Sequence, residues 1–505
     1  YLSIFGIKTD KFNNQITKNI FKTNKIIKLN LGDVNYLLNP YNFTINIKTS
    51  NSQILLEGRS LEIKNIQTNL PLKSLIYNQF SIDDLKITTK EIKLNDMIAL
   101  VRVFQNSPRL LILRTVIKDG FIAANINLNF DEGGKIKKNY KIEGSVKKAK
   151  LNYLNQFKLQ NFNFNFDIEK STYSLKRIDV KFNNIKLTSP FIGIKKKNDL
   201  FFVKGQFLNK KKKFDIEKLK SIFNDFFIDL DIQKIELSSN NDFSFNFDKN
   251  LKFNNLKIKS VVNLNQLILN KKNLKLKPYF PSFIEEIKLE KHKIVINYNE
   301  NKFDIKGSGN ILLQDKSDNL SYQLIKDKNK LSFDSKINLK NNSLLIEFLD
   351  YEKKEGLDSL VTVKGIFKKN NQLRFDLINL KEKNNQILIE GLDLNKSFKI
   401  IDIKNFNINY KNNKEILNRL NLKKDNLNFI IEGESFDASR MINNIMNNNE
   451  EHSSIFANLN SKINIKIKKT HIDELNYINN LYGNISFYNN KINDLKLEST
   501  FPNEK

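Results

Sequence analysis

Few residues of this chain are of the types that catalyse reactions or bind metals. There is no Cys among the 505 residues, which excludes a thiolate zinc site, a cysteine nucleophile and a disulfide framework. The three histidines, His292, His452 and His471, lie too far apart in sequence for the short spacings of a metal-binding motif. We therefore interpret each of them as a surface or turn residue, and we expect no metal.

Paired acidic residues and glycine-rich segments are the other candidates for chemistry. Asp83–Asp84, Glu285–Glu286 and Glu450–Glu451 have the residue type for general acid–base catalysis, but adjacent carboxylates more often keep a surface solvated. Gly307–Ser308–Gly309 and Gly133–Gly134–Lys135 fit no phosphate-binding loop, and hairpin turns explain them better. No G-x-S-x-G nucleophile elbow occurs. The sequence therefore predicts neither an enzyme nor a cofactor.

The chain is strongly basic, with 84 Lys and Arg residues against 55 Asp and Glu residues and a net charge of +29. Such a balance indicates either nucleic acid or an anionic membrane surface as a partner. Only eight of the basic residues are Arg, the residue that makes most bidentate contacts to bases and phosphates, so we expect no nucleic-acid partner. Codon bias in an AT-rich genome also enriches Lys, Asn, Ile and Phe, and this origin of the charge stays open.

Alternation of apolar and polar residues with a period of two dominates the sequence. This period is typical of strands that have one apolar face. Polar breaks rich in Asn and Lys recur about every 10–15 residues, which predicts a long antiparallel meander of on the order of 35 strands. Helical spacing is confined to short amphipathic segments, and Asp437 is the expected N-cap of the last one. These predicted helices are 90–105, 216–227, 282–289, 413–420 and 438–446.

The predicted fold class is therefore all-β, dominated by a long antiparallel sheet with a few short helices. The apolar face of such a sheet has to be buried, and five short helices are too few to cover it. Stacked sandwiches, a solenoid and a long sheet curled into a trough all remain open. A trough would keep its inner face wet unless an apolar guest such as an acyl chain filled it, and an apolar stripe of several hundred Å² usually marks a binding surface.

Residues 429–442 resemble a pattern found in AsmA-like proteins, in which a strand is followed by Gly–x–x–x–Asp and then by a helix. The strand order of that family's C-terminal module is matched by segments 461–467, 481–487 and 492–497. Early elements of its YhdP and TamB branch resemble segments 26–31, 61–66 and 92–104. The resemblance covers most of the chain by pattern but is motif-like only over 429–497, and the Lys- and Asn-rich composition leaves the branch open.

The resemblance implies a bridge-like lipid transfer protein whose long sheet is curled into an elongated groove (a β-taco). Members of this family connect the inner and outer membranes of a bacterial envelope and serve outer-membrane biogenesis. The expected partners are phospholipids, both membranes and envelope proteins at either end. The expected location is the periplasm, with an inner-membrane anchor upstream of Tyr1. The alternative is a structural or adhesive β-solenoid or sandwich array with a dry, closed core.

On this interpretation, alternate apolar residues line the groove and shield the acyl chains. The predicted lining residues are Phe43, Ile45, Ile47, Phe162, Phe164, Phe166, Phe243, Phe245, Phe247, Phe333, Phe406, Ile408, Ile463, Ile465 and Ile467. The predicted segments are an N-terminal groove segment (1–208) with a helix near 90–105, a helix-containing joint plus strands (209–280), a central groove segment (281–446) and an AsmA-like C-terminal β module (447–505).

Overall fold

A computed structural model gives the fold of most of the chain. The residues that the structure describes are 1–11, 13–14, 17, 27–56, 59–73, 82–104, 108–131, 136–153, 157–183, 185–217, 231–249, 252–270, 276–283, 286–328, 330–368, 372–446, 456–473 and 475–502. They form two compact units. Unit 1 comprises Tyr1–Lys210 and Asn240–Lys257, and unit 2 comprises Lys211–Ser239 and Ile258–Lys505.

Most of the described residues lie in 31 strands. The first fifteen are β1 (Ile7–Lys8), β2 (Ile27–Asn30), β3 (Val34–Asn39), β4 (Thr44–Leu56), β5 (Arg59–Pro71), β6 (Asp84–Thr89), β7 (Ile92–Lys93), β8 (Ile117–Asn129), β9 (Lys141–Tyr153), β10 (Phe157–Glu169), β11 (Thr172–Phe182), β12 (Ile185–Lys197), β13 (Leu200–Lys213), β14 (Asp231–Asp248) and β15 (Phe253–Asn270). The others are β16 (Glu286–Asn299), β17 (Lys302–Leu312), β18 (Ser317–Asp327), β19 (Lys330–Leu339), β20 (Leu344–Ile346), β21 (Tyr351–Lys353), β22 (Ser359–Lys368), β23 (Leu373–Glu382), β24 (Asn385–Leu394), β25 (Ile400–Asp402), β26 (Asn405–Lys411), β27 (Leu417–Asp425), β28 (Asn428–Asp437), β29 (Ser461–His471), β30 (Tyr477–Tyr488) and β31 (Lys491–Thr500).

The described helices are short. They are α1 (Leu94–Phe104), α2 (Pro108–Val116) and α3 (Ser439–Met446), with a 3₁₀ turn at Glu347–Leu349. The helices predicted at 90–105 and 438–446 are confirmed by α1 and α3, whereas α2 was not predicted. The predicted helix at 216–227 lies almost wholly outside the described residues.

Two predicted helices are wrong. Residues 286–289 belong to β16, and residues 417–420 belong to β27. Strand β27 is hydrogen-bonded to β26 on one side and to β28 on the other. Ladder bonds to two neighbours outweigh the weak local preference of a short Leu-containing segment for a helix.

All strands except β20 and β21 belong to one 29-stranded sheet that is not closed into a barrel. Strand makes up 72% of the structure and helix 7%, so the predicted all-β class with one long, mostly antiparallel sheet is confirmed. Strands β28 and β29 are a parallel pair. Helix α3 lies in the connection between them, because parallel neighbours need a crossover rather than a hairpin.

Asparagine in the left-handed region closes several hairpins, as the polar breaks predicted. Asn198 (φ 55°) joins β12 to β13, Asn426 (φ 58°) joins β27 to β28, and Asn490 (φ 65°) joins β30 to β31. Asn adopts this conformation at lower cost than other non-glycine residues because its short amide bonds the local backbone. The chain can therefore make many tight turns with only 16 Gly residues.

Candidate functional site

An apolar cavity of about 380 Å³ lies on one face of the sheet in unit 1. Its lining comes from consecutive strands β8–β14 and from no helix. The main lining side chains are Ile122, Val146, Phe164, Phe166, Phe201 and Phe247. We refer to it as the apolar cavity.

Strand alternation places these side chains on one face. Phe164 and Phe166 lie two residues apart on β10, and Phe166 is opposite Gly144 on β9. On β12 and β13, Ile194 pairs with Val203, so apolar residues lie opposite each other across these strands, and Lys196 lies over the Phe201 ring at their end. Because successive side chains of a strand point to opposite faces, the Asn, Ser and Lys residues between them lie on the other face.

Phenylalanine rings form a continuous lining beside the apolar cavity. The Phe201 and Phe247 rings stack with centroids 4.9 Å apart, and Phe207 and Phe243 stack at 5.2 Å. Phe245 continues the lining along β14, since its ring centroid lies 6.1 Å from that of Phe243 and 6.3 Å from that of Phe247. Such pairs contribute about 0.5–1.5 kcal/mol beyond area burial and fix the ring positions.

The position of the Phe166 ring depends on Gly144, a glycine within strand β9. A Cβ atom on Gly144 would lie 2.8 Å from Phe166 Cζ and 2.2 Å from the Ala123 carbonyl oxygen. The ring can therefore lie over the β9 backbone only because position 144 has no side chain.

Most aromatic side chains that line or adjoin the apolar cavity are only partly buried by the protein itself. Phe166 is 8% exposed, whereas Phe162, Phe164, Phe245 and Phe247 are half-buried. Partly exposed rings that adjoin an apolar cavity offer a ligand surface that water covers poorly.

Polar groups at the cavity already have partners. The Asp167 carboxylate accepts hydrogen bonds from Lys176 Nζ at 2.7 Å and from Ser174 Oγ at 3.3 Å. The bond from Lys176 is the main reason why the pKa of Asp167 is lowered. Burial raises the pKa of Tyr173, so its phenol stays neutral at the cavity. The described lining is therefore mainly an apolar surface, and its Asp167 carboxylate is already hydrogen-bonded.

In unit 2, segments of the chain itself pack on the apolar residues of the sheet. Residues 276–283 and 344–353, which we call the cover segments, contribute buried side chains to the same core as the strands. Those core residues from the cover segments are Phe280, Phe283, Leu344, Leu349 and Tyr351. Leu345 N donates to the Tyr279 carbonyl at 2.9 Å, which joins the two cover segments.

Buried polar groups fasten the cover segments to the sheet. Tyr351 Oη donates to the Glu382 carboxylate at 2.5 Å, and Tyr410 Oη donates to the Leu349 carbonyl. Lys353, which is fully buried, donates through Nζ to the carbonyls of Asn342 at 2.7 Å and Lys340 at 3.0 Å. Burial raises the pKa of both phenols and lowers the pKa of Lys353.

The structure distributes the predicted lining residues between the two units. In unit 1, Phe164, Phe166 and Phe247 line the apolar cavity, and Phe162, Phe243 and Phe245 adjoin them. Ile45 and Ile47 are half-buried on β4. Phe43 lies in the turn before β4, with φ 48° and 69% of its surface exposed.

The predicted residues of unit 2 lie in its cores. Ile408 and Ile467 are buried in the core that includes the cover segments, and Phe406 and Ile465 pack against it. Ile463 packs against a second core around Phe429 and Leu459. Phe333 packs edge-on against Phe375 with centroids 5.9 Å apart.

Sequence reasoning missed several lining residues of the apolar cavity, among them Tyr173, Leu175, Ile194 and Phe201. Tyr173, Leu175 and Ile194 continue a period-two pattern with Thr, Ser, Lys or Gly neighbours, whereas Phe201 lies in the continuous apolar run 200–203, which hides the alternation. Extending the alternation from β10 through β12 would have found the first three.

The two histidines in the described part of the chain, His292 and His471, do not form a site. His292 is 1% exposed, so its interpretation as a surface or turn residue is wrong. Its Nε2 lies 2.9 Å from the Asn310 carbonyl oxygen, and burial lowers its pKa. His471 lies on β29 and its pKa is also lowered, chiefly by burial, while His452 lies outside the described residues. Among the described residues, no three His, Cys, Asp or Glu side chains are grouped as metal ligands.

Asp437 lies where a helix cap is expected. Its Oδ1 accepts from the Ser439 backbone N–H at 3.0 Å and from Ser439 Oγ at 2.5 Å, directly before α3. Its other carboxylate oxygen accepts from Asn412 Nδ2 at 2.8 Å. The carboxylate therefore stabilises the first turn of the helix and ties it to the end of β26.

Comparisons with protein-family models, curated proteins and solved structures find no match to this chain. The resemblance to AsmA-like proteins therefore stays a prediction. In the part of the chain that the structure describes, none of the helices is both long and apolar enough to cross a bilayer.

Proposed function

We propose that this chain is a lipid transfer protein that shields phospholipid acyl chains on the apolar face of unit 1 between the inner and outer membranes of a bacterial envelope. No chemical step is involved. The lipid would lie along the strands against partly exposed aromatic and aliphatic side chains, and the fold would act as a passive, periplasmic support for it.

The observation that supports this proposal is the apolar cavity. Seven consecutive strands contribute to its lining, and its volume of about 380 Å³ lies within the range of ligand sites. Burial of each acyl methylene there would contribute about 0.8 kcal/mol. An acyl chain therefore gains affinity from length alone, without any one essential contact.

The cover segments of unit 2 favour a second candidate function for that part of the chain. There the protein buries its own apolar residues, as a structural or adhesive β-array would throughout. If unit 1 also excludes guests, the structural function applies to the whole chain.

A charge in the apolar cavity tests the proposal. We expect Phe164→Asp to lose co-purified phospholipid in native mass spectrometry and to transfer fluorescent phospholipid between vesicles at least about tenfold more slowly, because a carboxylate in an acyl site must be desolvated. Phe191→Asp is the matched control, since Phe191 is 47% exposed, does not line the cavity, and lies on β12 at the alternate position to the lining residue Ile194. Equal lipid content and transfer in both variants, with both folded by circular dichroism, would refute the proposal.

A further inference from the structure

A second cavity, of about 460 Å³, lies in unit 1, and its lining combines apolar side chains, among them Phe202 and Phe245, with polar ones. Three lysines line it: Lys195 on β12, Lys204 on β13 and Lys257 on β15. Lys195 pairs with Phe202, and Gly193 pairs with Lys204. These positions alternate with the Ile194–Val203 pair, so Lys195 and Lys204 lie on the face opposite to Ile194 and Val203. We call this the polar cavity.

The lysines of the polar cavity have no carboxylate neighbour. No Asp or Glu lines the cavity, and none of the three lysines forms an ion pair within the described chain. Nearby strands differ in this respect. Lys176 pairs with Asp167 at 2.7 Å, and Lys186 pairs with Asp179 at 3.4 Å.

Like charges on neighbouring strands destabilise a sheet unless a counter-charge offsets them. Some lysines of the unit have such a counter-charge, as Lys176 and Lys186 do. At the polar cavity the chain supplies neutral hydrogen-bonding groups instead, among them Ser244 and Asn246 on β14. Neither of these side chains is hydrogen-bonded to another described residue, and Asn246 is 9% exposed.

We infer that the polar cavity binds a phosphate-type anion. Lysine acts as a point charge toward phosphate oxygens, and a hydroxyl and an amide add directed hydrogen bonds. The inference is separate from the proposed lipid transfer, because it depends on lysine side chains that do not line the apolar cavity. The same group is found in a free phosphate ester and in a phospholipid head group at a membrane surface.

Two binding experiments separate these sources. Isothermal titration with pyrophosphate measures a free anion, and sedimentation with phosphatidylglycerol vesicles, against phosphatidylcholine vesicles, measures a head group. The double substitution Lys204→Gln with Lys257→Gln removes two charges from the cavity. Lys158→Gln with Lys181→Gln removes the same charge from exposed positions of the same unit that do not line it.

We expect the cavity variant to lose at least about tenfold in affinity in one or both experiments, and the control variant to stay within about twofold of the wild type. If the cavity variant loses affinity for pyrophosphate alone, the ligand of the cavity is a soluble anion. If it loses affinity for phosphatidylglycerol vesicles, the ligand is a phospholipid head group. Equal losses in the two variants would show that only the overall charge acts and would overturn the inference. Absence of binding by the folded wild-type protein in both experiments would overturn it as well.

Discussion

The hydrogen bond between Tyr351 and Glu382 provides the sharpest test of how unit 2 closes its apolar face. Tyr351 is 1% exposed and Glu382 is 5% exposed, so neither group has water as an alternative partner. Tyr351→Phe removes one hydroxyl and leaves the carboxylate buried without this donor. A hydrogen bond to a charged group contributes about 1.5–3 kcal/mol, so we expect opening of the cover segments to become about 2 kcal/mol easier.

That free energy corresponds to an open population that is about thirtyfold larger. Hydrogen exchange of the peptide 344–353, read by mass spectrometry, measures this population directly, because local opening exposes its amides. Tyr322→Phe is the control: its half-buried ring lies in the same unit, and its hydroxyl makes no hydrogen bond to the described chain. If exchange in Tyr351→Phe stays within about twofold of the wild type, the hydrogen bond does not hold the cover segments, and our account of the closure is wrong.

Three further predictions concern stability. Ile467→Ala should lower the free energy of unfolding of unit 2 by about 2–5 kcal/mol in urea titrations, whereas Ile492→Ala, at a position 58% exposed, should change it by less than about 0.5 kcal/mol. Asp437→Ala should lower the free energy of unfolding by about 0.5–2 kcal/mol and raise the rate of proteolysis near α3, because the Asp437 carboxylate accepts a hydrogen bond from the first turn of that helix. Unchanged stability would contradict the role of Asp437 as a helix cap. Burial raises the pKa of Tyr322 from 10.0 to about 12. Above pH 10 the unfolded chain therefore loses this proton before the folded protein does, so the stability that the buried neutral phenol contributes is complete below pH 10 and is lost as the pH rises to about 12. The alkaline loss of stability should therefore be smaller in Tyr322→Phe, and an equal loss in both proteins would refute this assignment.

The sheet could be predicted from the sequence because its causes are local. Period-two alternation along β10 and β14 already specifies strands with one apolar face, and Asn at positions such as 198 and 426 specifies their turns. The same locality explains the wrong helices. Leu417 and Leu420 are three residues apart, which fits a helix, but the pairing of β27 with two neighbours is not visible in the segment itself.

The site was harder to predict because it depends on contacts between distant segments. A strand such as β26 has the same alternation whether a cover segment or a guest molecule buries its apolar face. Ile408 was therefore assigned to a lipid lining although the chain itself buries it, with 1% of its surface exposed. The pairing of Gly144 with Phe166 was likewise hidden, because it depends on the register of β9 against β10.

Connection lengths explain why the two units treat their apolar faces differently. In unit 2, the connection between β19 and β22 is long enough to contain β20, a 3₁₀ turn and β21, and it packs on the strands. In unit 1, the connections that follow β10, β11 and β12 are residues 170–171, 183–184 and 198–199. Two-residue turns reverse the chain but cannot reach back over a sheet. These three connections therefore supply no cover over β10–β13, and this is why we propose the guest for unit 1 rather than for unit 2. Next to β10, Leu94 of α1 shares a core with Val146 and Phe166.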